Sequence, residues 1–335
     1  MNPTEQTQAG LAGFLAKEWG AAVEVESVSI ASAGARRRNV LFDALRGGAR
    51  IPLAATIIPT KVLEIVPIEV EAAHLRFAEA AGMPVPHVHG VCNDPSFLGG
   101  PFFVTARVAG ETIPRQVLRL VEKNPALGPR LARQCGEALA KLHAADPAGA
   151  HTRISAAGAD PIEATLRAVE LLVRALLQPS PTFTLALRAL ERERPPPPPR
   201  LAVVHGDFRN GNLIVGADGL RAALDWEICH VGDPMEDLGW LCQRMWRFRN
   251  DALEVGGFGA RADLAAGYRA AGGRFEPARF HWLKTMGTLR WGLGLAGQAK
   301  AHLDGSVPSI VMAASGRRVA ELEWDVLMLL RRSFS

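Results

Sequence analysis

The sequence predicts an α+β protein with two lobes, of which the first is small and mainly β and the second is larger and mainly helical. Strand-like runs are concentrated before residue 109, whereas apolar residues at helical spacing dominate the chain after it. A chain of 335 residues with 48% hydrophobic composition can bury a large core, and this length favours two domains. The predicted domains are residues 1–108 and 109–335.

The first predicted domain combines a helical entry, several strands and a second helix. Residues 8–20 have helical spacing, and residues 69–81, which carry Glu71, form the second helical pattern. Strand-like segments cover 23–30, 39–46, 50–58, 87–92 and 101–108. Two of these strands flank the sequence Arg-Gly-Gly-Ala at 46–49, which predicts a hairpin turn.

Helical patterns dominate the second predicted domain. They cover 113–145, 160–177, 181–194, 261–271, 277–300 and 314–332, and a shorter helix is expected from the segment GDPMEDLGW. The proline run before residue 201 is interpreted as a spacer, although such a run is also compatible with an SH3-type ligand.

Composition restricts the class of protein. The four cysteines lie far apart and form no C-x-x-C pair, which favours reduced thiols and a cytoplasmic location. No secretion signal or membrane span is expected, so no membrane partner is predicted. The net charge of +4 is spread along the chain without a dense basic run, so no nucleic-acid partner is predicted either. The sequence leaves the oligomeric state unknown.

The stretch VVHGDFRNGNLIVGADGLRAALDWE, residues 203–227, carries the strongest functional signal. Asp207 and Asn212 have the H-x-D-x-x-x-x-N spacing of a phosphotransferase catalytic loop, and Asp225 follows where that design keeps a metal-binding aspartate. Aspartate and asparagine are also common turn residues. Three matching positions between strand-like runs favour the functional interpretation.

Each of these residue types suits phosphoryl transfer, in which a hydroxyl is aligned and phosphate charge is neutralised. Asp207 is expected to accept the substrate's proton, and Arg209 to face the transferring phosphate. Asn212 and Asp225 offer the oxygen ligands that Mg²⁺ prefers. Glu227 could contact either the metal or water, and both possibilities stay open. In the segment that follows, Asp237 is expected to anchor the catalytic loop.

The motifs HGDFRNGNLIV, LDWE and GDPMEDLGW resemble the aminoglycoside phosphotransferase and choline kinase superfamily, which has a protein-kinase-like fold. Within it, the chain most resembles a bacterial branch that accompanies acyl-CoA dehydrogenases. The resemblance implies ATP and Mg²⁺ as cofactors, Asp207 as catalytic base, and Asn212 and Asp225 as metal ligands. It also implies a nucleotide-covering loop at Ala33, Gly34 and Ala35, and adenine binding by the backbone around Ala106 and Val108.

One position departs from the superfamily pattern. Its members place a lysine or arginine on the third strand, paired with a helix glutamate, and the alignment puts Thr56 there with Glu71 as the partner. A strand without this cation lacks a charge-assisted contact to ATP. Lys61, Arg50 or one of the arginines at 36–38 could substitute; alternatively nucleotide affinity is low, the donor is unusual, or the register is shifted.

The leading functional hypothesis is a kinase that phosphorylates a hydroxyl group of a small molecule. Residues 232–335, where substrate is expected, contain 14 Arg and Lys against 11 Asp and Glu, a balance that suits an anionic or neutral substrate such as a hydroxyacyl-CoA. An aminoglycoside is the alternative substrate. A nucleotide-binding pseudokinase is the alternative from another functional class, favoured by Thr56 and opposed by the intact aspartates and asparagine.

Overall fold

The computed structural model describes residues 2–33, 37–59, 66–150 and 160–331. These residues form two compact units. The first contains the chain up to Glu111 together with Leu213–Cys229, and the second contains most of the remainder. The predicted boundary near residue 109 stays a prediction, and the units differ from it in grouping 213–229 with the N-terminal part of the chain.

A five-stranded antiparallel sheet with the order β1-β2-β3-β5-β4 forms the centre of the first unit. Its strands are β1 (Glu24–Ala33), β2 (Arg38–Arg46), β3 (Ala49–Ile57), β4 (Val88–Cys92) and β5 (Phe102–Ala106). The hairpin between β2 and β3 turns at Gly47 and Gly48, whose φ values are 55° and 81°. Glycine adopts this left-handed backbone without steric cost, so the predicted hairpin forms there.

One face of the sheet is apolar and packs on α1 (Pro3–Trp19). Phe14 of this helix meets Phe102 of β5 edge to face, with ring centroids 4.8 Å apart. Side chains alternate along a strand, so every second residue of β2 and β3 enters this core. Asn39 of β2 and Thr56 of β3, which pair in register, therefore lie on the opposite face.

The remaining elements of the first unit carry three acidic residues of interest, Glu71, Asp225 and Glu227. Helix α2 (Ile68–Ala80) carries Glu71, and α3 (Pro95–Leu98) is a single turn between β4 and β5. The antiparallel pair β7 (Leu213–Gly216) and β8 (Gly219–Ala223) precedes the segment that contains Asp225 and Glu227. Nδ1 of His74 on α2 lies 3.2 Å from the carbonyl oxygen of Trp226, so α2 contacts that segment directly.

The second unit is mainly helical. Its helices are α4 (Pro114–Lys123), α5 (Leu127–Ala144), α6 (Pro161–Arg174), α7 (Pro181–Arg192), α8 (Met235–Leu241), α9 (Arg261–Ala270), α10 (Pro277–Leu303), α11 (Ile310–Gly316) and α12 (Val319–Leu330). One short antiparallel pair, β6 (Ala202–Val204) and β9 (His230–Gly232), lies among them. Gly136 lets α5 approach α9 closely, because a Cβ atom there would lie 2.2 Å from the carbonyl oxygen of Leu264.

The predicted elements are present, but some differ in their bounds and a few short elements were not predicted. The pattern over 113–145 forms α4 and α5 rather than one helix, because Pro125 cannot continue an α-helix. The pattern over 314–332 corresponds to α12 and the end of α11, which terminates at Gly316. The strand β9 and the turn of helix α3 were not predicted, since both are too short to show a period. None of the described helices is long and apolar enough to span a bilayer.

Candidate active site

In the second unit, a buried aspartate of α8 holds the loop after β6. The carboxylate of Asp237 accepts the backbone N–H of His205 at 2.8 Å and that of Gly206 at 2.9 Å. It also lies 3.1 Å from Nε2 of His143, and the Asp237 side chain is fully buried. Charge-assisted hydrogen bonds to a buried carboxylate are strong, so this contact fixes the loop that carries Asp207. The anchoring contact expected of Asp237 is therefore present.

Three side chains surround the carboxylate of Asp207. Its Oδ2 accepts a hydrogen bond from Nδ2 of Asn212 at 2.7 Å, and its Oδ1 accepts one from Nε1 of Trp240 at 2.8 Å. Nε of Arg209 lies 3.0 Å from Oδ1 and 3.1 Å from Oδ2. These contacts fix the orientation of the carboxylate. Sequence reasoning did not single out Trp240.

Arg209 lies beside Asp207 rather than turning away from it. Its guanidinium carbon also stacks over the ring of Trp246, 4.6 Å from the centroid. Trp246, Trp240 and Trp291 form an aromatic cluster with centroid separations of 5.2 to 6.0 Å. The cluster holds the guanidinium of Arg209 next to the expected catalytic base. A contact with the transferring phosphate stays a prediction.

A cavity of about 540 Å³ adjoins this site within the second unit, and Trp240 is part of its wall. Most of the wall is apolar, with side chains from α6 and α10 that include Ile162, Val169, Trp282 and Met286. Its volume suits a small organic molecule. Trp240 is therefore shared between the wall of the cavity and the hydrogen bonds of the Asp207 carboxylate.

The charged groups of the cavity wall are already paired. Glu236 lies 2.7 Å from Nη1 of Arg290 and 3.3 Å from Nε2 of His230. Burial works to raise the pKa of Glu236, but the neighbouring His230 and Arg290 outweigh it and hold that pKa well below its usual range. Asp233 lies 2.6 Å from Nη1 of Arg279. The two carboxylates thus have cationic partners within the protein.

In the first unit, a second cluster of charges surrounds Arg37. Its two Nη atoms bind both carboxylate oxygens of Glu71, at 2.9 and 2.8 Å. Nη2 also lies 2.8 Å from Glu227, and Nη1 lies 3.3 Å from Asp225. One guanidinium therefore joins the glutamate of α2 to both acidic residues after β8.

Burial and charge act in opposite directions on this cluster. Burial works to lower the pKa of Arg37, but the attraction of Glu71, Asp225 and Glu227 outweighs it and raises that pKa. Burial raises the pKa of Glu71 to about 7, although Arg37 works in the opposite direction. Loss of Arg37 would therefore leave the buried carboxylate of Glu71 without this cationic partner.

Asp225 has an unusual backbone for a residue with a side chain. Its φ is 68°, in the left-handed region, which aspartate tolerates better than most residues but at a cost of about 1 kcal/mol or more. The neighbouring Trp226 anchors this conformation, because its Nε1 donates to the carbonyl of Ala223 at 3.2 Å. Strained backbone of this kind is concentrated at functional sites.

For several of the predicted nucleotide-binding residues, the structure gives little or no information. Gly34, Ala35 and Lys61 lie outside the described residues, and for Ala33 only its place in β1 is described. At the expected adenine site, the N–H of Ala106 donates to the carbonyl of His87 at 2.8 Å. Ala106 can therefore offer a base its carbonyl but not its N–H group, and the role of Val108 stays a prediction.

The proposed metal ligands have suitable donor atoms. Nδ2 of Asn212 donates to Asp207, which leaves the amide oxygen Oδ1 as the atom for a cation. Asp225 adds a carboxylate whose side chain is 35% exposed. Among the described residues, no group of three or more His, Cys, Asp or Glu side chains is arranged to hold a metal ion. An amide oxygen and a carboxylate are both ligand types that a hard cation such as Mg²⁺ accepts, so each side chain taken by itself suits the role proposed for it.

Sequence comparison gives a family and a curated relative. The sequence profile of the family described as "Phosphotransferase enzyme family" (APH) matches residues 27–279. Acyl-CoA dehydrogenase family member 10 of Mus musculus is 26% identical over 283 residues, which are 77% of this chain and 25% of the mouse protein. The match thus spans about a quarter of that relative's length.

Two solved structures are similar over nearly the whole chain. A Ralstonia eutropha protein assigned as an aminoglycoside phosphotransferase has a TM-score of 0.73 at 20% identity, covering 96% of this chain and 98% of that one. The GDP complex of aminoglycoside 2'-phosphotransferase-IIIa has a TM-score of 0.65 at 13% identity, covering 98% and 99%. These likenesses confirm the α+β, protein-kinase-like fold. Because the profile matches well over half of the sequence, the chain belongs to the APH phosphotransferase enzyme family.

Proposed function

We propose that this protein transfers the γ-phosphoryl group of ATP to a hydroxyl group of a small molecule, with Mg²⁺ as the cofactor cation. The observation that carries the proposal is the environment of Asp207. Three side-chain donors orient its carboxylate, buried Asp237 fixes the loop, and one of the donors, Trp240, also forms part of the wall of a cavity of about 540 Å³. Such an arrangement suits a base that aligns a bound hydroxyl.

Each of the predicted site residues has a separate role in the proposed reaction. The substrate's hydroxyl oxygen attacks the γ-phosphorus, its proton passes to Asp207, and the bond to the bridging oxygen breaks to leave ADP. Arg209, beside Asp207, supplies positive charge near the reacting oxygen. Asn212 and Asp225 would hold Mg²⁺, which neutralises phosphate charge when bound. Val108 and the carbonyl of Ala106 would receive the adenine.

We rank a hydroxyacyl-CoA first among acceptors and an aminoglycoside second. A polycationic drug needs unpaired carboxylates, but Glu236 and Asp233 in the cavity wall are paired with Arg290 and Arg279. The apolar wall suits an acyl chain better. The printed name of the mouse relative, an acyl-CoA dehydrogenase family member, is consistent with this ranking. Arginines elsewhere in the second unit could bind the CoA phosphates.

A nucleotide-binding pseudokinase is the second candidate, and Thr56 is the observation in its favour. Thr56 donates its hydroxyl hydrogen to Oδ1 of Asn39 at 3.0 Å and brings no cation to that face of the sheet.

For either function we propose a cytoplasmic location, since the four cysteines, all within the described residues, form no disulfide.

The test is ADP release from Mg²⁺-ATP with a panel of hydroxyacyl-CoAs, simple alcohols and aminoglycosides. We expect release that depends on a hydroxyacyl-CoA and that falls to background in Asp207→Asn, which keeps the size of the side chain but removes the base. Release that depends on aminoglycosides alone would overturn the ranking of substrates. If the protein binds ATP and no acceptor raises ADP above background, the pseudokinase function is favoured.

A further inference from the structure

We propose that Arg37, the residue before β2, supplies the cation that holds the nucleotide's phosphate chain in this protein, in place of a cation on β3. The inference rests on the proposed phosphotransferase function. Thr56, the β3 position expected to carry this cation, is a neutral residue hydrogen-bonded to Asn39.

The register of the sheet puts Arg37 on the correct face. Asn39 pairs with Thr56, so the two side chains point to the same side of the sheet. Arg37 lies two residues before Asn39, and side chains alternate along a strand, so Arg37 continues on that face. Arg38 illustrates the alternation, because it turns to another environment and donates to the carbonyl of Leu98 at 3.2 Å. A cation just before β2 therefore lies on the same face of the sheet as a cation at position 56 of β3 would.

The contacts of the guanidinium match a phosphate-binding role. Arg37 and Glu71 form a bidentate salt bridge with N–O distances of 2.9 and 2.8 Å. This salt bridge fixes the guanidinium of Arg37 beside helix α2. The contact with Glu227 is equally short, at 2.8 Å. The contact with Asp225 is the longest of the four, at 3.3 Å, and is thus the easiest to exchange. Asp225 is also the residue proposed to bind the metal.

Charge balance predicts how this exchange would occur. Among the described residues, one guanidinium contacts these three carboxylates, and the group of Arg37, Glu71, Asp225 and Glu227 has a formal charge of −2 when all four side chains are ionised. An anionic phosphate alone would be repelled from it. Asp225 would hold a divalent cation whose charge would offset that of the carboxylates, and the N–H of Arg37 Nη1 that now faces Asp225 would then be available to a phosphate oxygen. Arg37 should therefore contribute to nucleotide binding only when the metal is present.

The other basic candidates provide matched controls. Arg50 pairs with Glu26 and Asp43, and its side chain is 58% exposed. Lys61 is the basic residue that the sequence places after β3. Neither Arg50→Met nor Lys61→Met should impair nucleotide binding if Arg37 supplies the cation.

Isothermal titration of the full chain with ADP, with and without Mg²⁺, tests the inference without turnover. We expect Arg37→Met to weaken Mg²⁺-ADP binding roughly 10- to 100-fold, because one charge-assisted contact to the nucleotide is lost. The control variants Arg50→Met and Lys61→Met should bind Mg²⁺-ADP like wild type. Without Mg²⁺, Arg37→Met and wild type should bind ADP equally weakly. In addition, Thr56→Lys in the Arg37→Met background should restore much of the lost affinity.

Several outcomes would overturn the inference. Wild-type affinity in Arg37→Met, a loss in Lys61→Met instead, or an equal loss with and without Mg²⁺ would each contradict it. Because Arg37→Met leaves buried Glu71 unpaired, the variant Arg37→Met/Glu71→Gln should show the same loss of affinity in a folded protein. If wild type does not bind Mg²⁺-ADP, the proposed function fails too. If binding depends on Arg37 but no acceptor is phosphorylated, only the transferase function fails.

Discussion

Replacing Trp240 by phenylalanine tests how Asp207 is held. The indole Nε1 of Trp240 donates to Oδ1 of Asp207 at 2.8 Å, while the ring forms part of the cavity wall. Phenylalanine keeps most of the apolar surface but has no N–H group. Trp240→Phe therefore removes one donor from the carboxylate and leaves those of Arg209 and Asn212 in place.

The size of the effect follows from the kind of bond that is lost. A hydrogen bond to a charged group contributes about 1.5–3 kcal/mol, and each 1.4 kcal/mol changes a rate by about tenfold. If Trp240 orients Asp207 during transfer, kcat should fall roughly 10- to 100-fold. KM should change little, because the wall of the cavity keeps an aromatic ring.

Steady-state ADP release with the acceptor that supports turnover measures both constants, and Trp282→Phe is the matched control. Trp282 lines the same cavity, but its Nε1 donates to the carbonyl of Leu190 at 3.0 Å rather than to Asp207. We expect Trp282→Phe to keep kcat close to wild type. Equal losses of kcat in both variants, or a change confined to KM in Trp240→Phe, would refute the orienting role of Trp240.

Two further predictions concern titration and thiol reactivity. The pKa of Glu236 is lowered in the folded state, so its stabilising contribution is present above the unfolded pKa of about 4.5 and is lost as pH falls. In urea titrations, the gap in unfolding free energy between wild type and Glu236→Gln should therefore shrink below that pH; a constant gap would contradict this assignment. Burial raises the pKa of Cys242 to about 12 and also raises that of Cys135, so a thiol reagent at pH 8 should label partly exposed Cys92 first. Faster labelling of Cys242, read by peptide mass, would show that its burial is not maintained.

Local chemistry made much of the fold predictable. The hairpin at Gly47 and Gly48 follows from two glycines between strand-like runs, because turn geometry depends on adjacent residues. The contact between Asp207 and Asn212 was similarly predictable, since the two residues are five positions apart in one loop. The break between α4 and α5 was predictable as well, because Pro125 lies between them and proline cannot continue an α-helix.

The cluster around Arg37 could not be located from local spacing. Its contacts with Glu71 and Asp225 join residues 34 and 188 positions apart, and three neighbouring arginines were equal candidates. Only the register of β2 with β3 distinguishes Arg37 from Arg38. Trp240 was missed, although a signal existed: it follows Asp237 by three residues on α8, so a helix that presents Asp237 to the catalytic loop also presents Trp240.

The role of Asp207 as the base in phosphoryl transfer is tested by following labelled γ-phosphate to an acceptor, in wild type and in Asp207→Asn. We expect a phosphorylated small-molecule product with wild type, none above background with Asp207→Asn, and Mg²⁺-ADP binding retained in both proteins. Retained binding separates a lost base from a lost fold. Product formed by Asp207→Asn at the wild-type rate would contradict the role of Asp207, and the absence of a labelled product from wild type with every acceptor would contradict phosphoryl transfer itself.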